Sequence, residues 1–347
     1  MVTALLERLV RARSPSREEG PAVAVFEEWN AGRCPVVAQG NNRAICRDSG
    51  IPGPRLLFLS HYDTVPATPQ WTRDPWTPGV EDGRMFGLGA NDAKGCLAAM
   101  MCAFETATVD RGSLWLVAAA EEEVGREGFE KLAPLLPVFD AAIVGEPTGM
   151  DIATAQNGLL VLDCVSRGRA GHAARPQLAD NAIYAMCRDI LALDALDLDR
   201  IHPLAGRSTL AVTMASAGDR HNVIPGEAKF TVDIRPTSAY TPAELVALVR
   251  ERVSAEVLVR SDRFRPVETP PGAAILAAAQ AAWPAAATFA SPTLSDWAHL
   301  RELPAIKWGP GRSEVSHTAD EWVELAMVEA AVGAYRHASD TFLRGKP

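Results

Sequence analysis

At 347 residues and 37.1 kDa the chain exceeds what one hydrophobic core usually holds, so two domains are expected. Hydrophobic residues make up 48%, charged residues 22% and the mean hydropathy is −0.01, which sets aside both a disordered chain and a membrane protein. A net charge of −9 argues against nucleic acid or an anionic membrane as partner, since both demand clustered Lys and Arg.

In chain order, apolar periodicity predicts a helix from about residue 2 to 12 and another from 18 to 31. There follow the runs LLFLS, CLAAMMCAFETA, SLWLVAAA, FEKLAPLL and AAIVG, an alternation that suits a sheet covered by helices. None approaches the ~20 residues of a spanning helix. The N-terminus lacks a signal-peptide layout, so the expected location is cytoplasmic. Six cysteines form no C-x-x-C pair and are assigned to packing.

From about residue 158 the pattern becomes strand, helix, two strands, helix, strand, with period-2 alternation in AKFTVDI. After RPVETPPG the first pattern returns: an Ala-rich helix and loop over 273 to 288, the run PAIKWGPG and a closing helix ADEWVELAMVEAAVGAYRHASDTFL. The predicted architecture is an α/β domain, residues 1–158 and 269–347, interrupted by a smaller α+β domain, residues 159–268.

Side chains suited to metal follow successive apolar runs. His61 and Asp63 come after LLFLS, Glu121 to Glu123 after SLWLVAAA and Glu146 after AAIVG, as expected of groups gathered at the carboxyl ends of strands. Asp92 precedes a helix in the glycine-rich GLGANDAKG, and His317 lies in a loop after PAIKW. Two imidazoles with several carboxylates suit Zn, Co or Mn, and the number of ligands points to two ions sharing a carboxylate rather than to one. Asp63, two residues beyond His61 on an extended segment, is placed to orient its ring.

Each residue alone has a plainer reading. Asp92 could cap the following helix, the EEE run could be a solvated helix start, GEPTG a turn, and HTADE a helix start capped by Thr318 or Asp320. Independent caps give no reason for metal-type side chains to recur after successive strands. His202, His299 and His337 are read as surface or packing histidines.

The motifs HYDTVP, GLGANDAKG, AEEEVG, VGEPTG, GHAARP, HNVIPGEAKFTVDIRPT and GPGRSEVSHTADEWVEL, in this order, resemble those of the di-metal amidohydrolases that include acetylornithine deacetylase, succinyl-diaminopimelate desuccinylase, aminoacylase and glutamate carboxypeptidase. The resemblance runs nearly end to end. It implies a zinc-peptidase-like catalytic domain, with a mixed sheet flanked by helices, and an inserted lid and dimerisation domain. Two divalent ions are implied, Zn first, with Co or Mn as alternatives. By this resemblance His61, Asp92 and Glu146 hold one ion and Asp92, Glu123 and His317 the other, with Glu122 as general base and acid. His172 would stabilise the oxyanion, and Asn222 and Arg235 would grip the substrate carboxylate. The family commonly carries Asp at the position of Glu121, which is neither base nor ligand.

The implied reaction is hydrolysis of the amide of an N-acyl amino acid, a small molecule. The short deacetylases acting on N-acetylornithine or N-acetylcitrulline are the nearest match, through GRAGHA, GPG and HTADEW. A desuccinylase, a lysine-pathway acyl-lysine hydrolase, a single-metal aminopeptidase and a non-catalytic metal-binding scaffold are the alternatives. A homodimer through the lid is expected, and neither nucleic acid nor membrane as a partner.

Overall fold

The computed structural model describes residues 1–125 and 128–345, which divide into two compact units. The first comprises Met1–Thr154, Glu268–Phe289 and Ser295–Pro347, and the second Ala155–Val267 with Ala290–Leu294. The short segment Ala290–Leu294 thus belongs to the second unit although it follows Glu268–Phe289 in the chain. No helix among the described residues is long and apolar enough to cross a membrane.

The first unit is built on a mixed sheet. Its strands lie in the order Val36–Gln39, Asn42–Asp48, Ser113–Ala119, Arg55–His61, Ala141–Val144, Ala305–Lys307. The last four are mutually parallel, and the first two are antiparallel to their neighbours. Continuous apolar runs such as LLFL and AAIV are what parallel strands need when both faces are covered, and the Ala141–Val144 strand is buried throughout.

Covering helices include Val2–Arg11, Lys94–Thr106, Ala274–Ala282 and Leu325–Arg344. Lys94–Thr106 is apolar nearly all round, as befits a helix buried between layers. Tyr335 on the last helix meets Phe58 at 5.8 Å between ring centroids and Trp308 edge-on at 5.2 Å, and its hydroxyl donates to the Trp308 carbonyl. This aromatic cluster ties the C-terminal helix to two central strands.

One sequence expectation fails locally. The closing helix begins at Leu325, because Trp322–Glu324 is a strand paired with Arg84–Phe86. Thr318 and Asp320 do not cap it: Thr318 donates to the Val315 carbonyl, and Asp320 accepts from Thr72.

The second unit is a four-stranded antiparallel sheet ordered Thr209–Ala217, Glu227–Arg235, Leu159–Arg167, Glu256–Phe264. Helices Ala182–Asp194 and Pro242–Arg252 pack on it over Leu160, Leu162, Cys164, Phe230, Val232 and Ile234. The second helix has Pro242 in its first turn and a reciprocal capping box between Thr241 and Glu244.

Phe58 is fully buried at the centre of the first unit. Phe58→Ala should cost about 3–5 kcal/mol through lost burial and the cavity it leaves, read as an earlier urea midpoint.

Candidate active site

Three adjacent parallel strands end at one place. The Arg55–His61 strand, flanked by Ser113–Ala119 and Ala141–Val144, delivers His61, and its neighbours run on into Glu121–Glu123 and Glu146. Asp92 comes from the approach to the helix Lys94–Thr106, and His317 from a loop where its φ is +62°. The helix is capped at Ala93 with no side-chain hydrogen bond, so the Asp92 carboxylate is spared for the centre.

Two groups of ligand atoms result, each within 4.8 Å: His61, Asp92, Glu146 and Asp92, Glu123, His317. Asp92 belongs to both. Its Oδ1 lies 3.4 Å from His61 Nε2 and its Oδ2 3.7 Å from His317 Nε2. Glu146 Oε1 is 3.9 Å from His61 Nε2, and Glu123 Oε1 3.0 Å from His317 Nε2. One carboxylate facing two imidazoles from its two oxygens is the arrangement that a pair of ions with a shared ligand requires.

Asp63 is fully buried, with Oδ1 3.3 Å from His61 Nδ1. This leaves Nε2 turned toward Asp92 and Glu146. The same carboxylate accepts backbone N–H groups from Glu122 and Glu123, each at 3.2 Å, and the Ser16 hydroxyl at 2.7 Å. Glu121, left-handed at φ +56°, instead turns its side chain to Arg17 at 3.3 Å.

Burial dominates the electrostatics. It pushes Glu146 up to about 8, with Lys307 opposing and Asp92 reinforcing. Burial also drives the Glu122 carboxyl well above the usual range, against the pull of His61. For His61, burial disfavours the charged ring, but Asp63, Asp92, Glu122 and Glu146 outweigh it and hold the pKa high. His317 rises to about 9, first through its hydrogen bond to Glu123. Such crowding of partly desolvated acids around two imidazoles suits multivalent cations, and the donor types are those that Zn, Co and Mn accept.

Several residues of this region escaped the sequence reading. Asp296 is buried and raised to about 7 by burial, with His61 lowering and Asp63 raising it, and its Oδ2 has no hydrogen-bond partner. Buried Lys307 ends the Ala305–Lys307 strand, and its charge acts on Glu146. Glu321, raised to about 8 by burial, accepts the N–H groups of Asn91 and Asp92 at 2.9 and 3.0 Å and thereby shapes the Asp92 loop. A lysine closing an apolar strand was the one available signal; lone acids beside turns gave none.

The remaining predicted residues lie in the second unit. His172 and Asn222 are neighbours there, joined by the Ala173 N–H donating to the Asn222 carbonyl at 3.0 Å. His172 Nδ1 accepts from the Ala174 N–H at 3.1 Å, which assigns the proton of the neutral ring to Nε2. Arg235 ends the Glu227–Arg235 strand and is paired with Asp233 through two hydrogen bonds, of 2.8 and 3.2 Å.

The fold and the paired triads together define a hydrolase with a candidate two-metal centre. The chain belongs to Peptidase family M20/M25/M40, whose profile matches residues 57–341. It is 32% identical over 316 residues to a succinyl-diaminopimelate desuccinylase of Nitrosomonas eutropha, covering 83% of each chain. Its fold matches a tripeptidase from Staphylococcus aureus with a TM-score of 0.80 at 19% identity, over 99% of this chain and 98% of the other. A dinuclear metal-binding peptidase of the M20 family from Bacillus subtilis matches at 0.74 and 15% identity, over 99% and 98%.

The raised acids give the metal-free protein a definite response to pH. In the unfolded chain Asp296, Glu146 and Glu321 ionise near pH ~4, whereas the fold keeps them protonated to about 7, 8 and 8. Between pH 5 and 7 the folded state therefore holds more protons, and stability falls as pH rises. After chelation Tm should drop over this interval, and added Zn or Co should raise it more at pH 7 than at pH 5. A Tm that is flat or rising with pH after chelation contradicts this account.

Proposed function

We propose that the protein hydrolyses the amide bond of an N-acylated amino acid bearing a free carboxylate. The observation that carries this reading is the pair of triads sharing Asp92, with Glu122 beside the ligand Glu123 on one turn.

His61, Asp92 and Glu146 would hold one divalent ion and Asp92, Glu123 and His317 the other, Zn first, with Co or Mn accepted by the same donors. When bound, the ions supply Lewis-acid polarisation of the scissile carbonyl and lower the pKa of water. Glu122, with its carboxyl pKa raised by burial, takes a proton from the attacking water and delivers it to the leaving nitrogen. Asp63 fixes the ring of His61.

His172, with its Nε2 proton assigned by the Ala174 contact, is suited to donate to the oxyanion. Asn222 and Arg235 are assigned to the substrate carboxylate, which would have to compete with Asp233 for the guanidinium. We infer that the second unit acts as lid and forms a homodimer. Thr209–Ala217 is an exposed nine-residue edge strand with Met214 62% exposed, a surface suited to pairing with a second copy.

The desuccinylase relative directs the first substrate test to N-succinyl-diaminopimelate. The GRAGHA, GPG and HTADEW motifs keep N-acetyl-L-ornithine as the second. Steady-state hydrolysis of both, after chelation and again with Zn or Co restored, is the deciding assay; two inert substrates on metal-loaded enzyme would rule out both assignments. Glu122→Ala should leave metal content nearly normal while kcat falls by about two to four orders of magnitude, and full turnover in that variant would remove Glu122 from the chemistry.

A further inference from the structure

A buried carboxylate outside both triads holds the turn on which Glu122 and Glu123 sit. Glu19, ahead of the helix Gly20–Asn30, is fully buried. Its Oε1 accepts the backbone N–H groups of Arg17 at 2.6 Å and Glu121 at 3.2 Å, and its Oε2 accepts Asn41 Nδ2 at 2.7 Å. All three partners are donors. A carboxylate satisfies every one; an amide can do so only by donating its NH2 to the Asn41 side-chain carbonyl after that amide turns over, and an alkyl side chain cannot do so at all.

What this cluster grips is Glu121, whose left-handed backbone (φ +56°) non-glycine residues adopt only at some cost. The next two N–H groups, of Glu122 and Glu123, are held by Asp63. Three successive amides are thus fixed by two buried carboxylates. Ser16 links the two holds, since its hydroxyl donates to Asp63 from the same N-terminal loop that presents Glu19.

We propose that Glu19 is a positioning residue for catalysis: its carboxylate fixes Glu121 in the left-handed conformation and thereby aims Glu122 at the reacting atoms. This rests on the reading of Glu122 as the proton-transfer group. Glu19 touches neither ion nor substrate, so its loss should act on kcat while leaving KM and metal content in place.

The test compares Glu19→Ala, Glu19→Gln and Glu122→Gln in the cobalt-loaded enzyme, assayed on N-succinyl-diaminopimelate and N-acetyl-L-ornithine. Glu19→Ala should lower kcat roughly 10- to 100-fold, the range for residues that orient a metal site's ligands, with KM and cobalt stoichiometry unchanged. Amide hydrogen exchange over residues 113–124 should quicken, a readout independent of substrate. In Glu19→Gln the introduced carbonyl can accept both backbone N–H groups while its NH2 donates to the turned-over Asn41 amide, so most of the turnover lost in Glu19→Ala should return.

Unchanged exchange and kcat in Glu19→Ala overturn the proposal, as does a parallel loss of cobalt and activity, which would mark a purely structural role. If Glu19→Ala does not fold, Glu19→Gln decides: near-normal kcat and exchange support the hold, and a Glu19→Gln variant that is inactive or unfolded refutes it. Should Glu122→Gln keep full turnover, both readings fall; if it is inactive while Glu19→Ala matches the unaltered enzyme, the positioning role alone fails.

Discussion

The centre depends on what a single buried carboxylate holds. Asp63 accepts from the Ser16 hydroxyl and from the N–H groups of Glu122 and Glu123, and it lies against the ring of His61. A carboxylate taken wholly out of water is tolerable only when hydrogen bonds and an adjacent imidazole replace its hydration. Burial works against its ionisation, yet His61, Ser16 and the Glu123 amide together hold its pKa below the usual range. It stays charged, and so it can face donors on every side. One group in each triad, His61 and Glu123, therefore takes its orientation from the same anion.

Around that anion the fold supplies direction. Three parallel strands in register end within two residues of one level, and residues just past their ends converge without any long loop having to be ordered. The aromatic packing of Phe58, Trp308 and Tyr335 lies beneath, on elements that carry or adjoin residues of the two triads. Close packing leaves little slack there: a Cβ on Gly309 would fall 2.6 Å from the Tyr335 hydroxyl and 2.7 Å from the Glu146 carbonyl. Rigidity of this kind keeps acids of like charge together when they would otherwise repel.

Much of this was legible in the sequence, for a physical reason. Parallel strands buried on both faces must be apolar along their length, so a polar metal-type residue at the end of such a run stands out, as His61 after LLFLS and Glu146 after AAIVG do. Glycine around Asp92 and the separate block of alternating strands beyond residue 158 were equally visible. Glu19, Asp296 and Glu321 were not. Each is an acid beside a turn or helix start, where local sequence offers a solvated cap as explanation, and only the path of a distant segment turns it inward. The start of the last helix was misplaced for a related reason, since Trp322–Glu324 is claimed by a strand partner more than 230 residues earlier.

The two triads differ in how far apart along the chain their members lie. His61, Asp92 and Glu146 all precede the second unit, whereas His317 follows it and meets Glu123 across 194 residues. The strand Ala305–Lys307 likewise joins its parallel neighbour Ala141–Val144 only once the whole insertion has been spanned. Contacts of such sequence separation are the slow ones in folding, because the intervening chain must be ordered before they form. During synthesis one triad can gather on an incomplete chain while the other must wait for the C-terminal segment, so the shared Asp92 would meet its first imidazole well before its second.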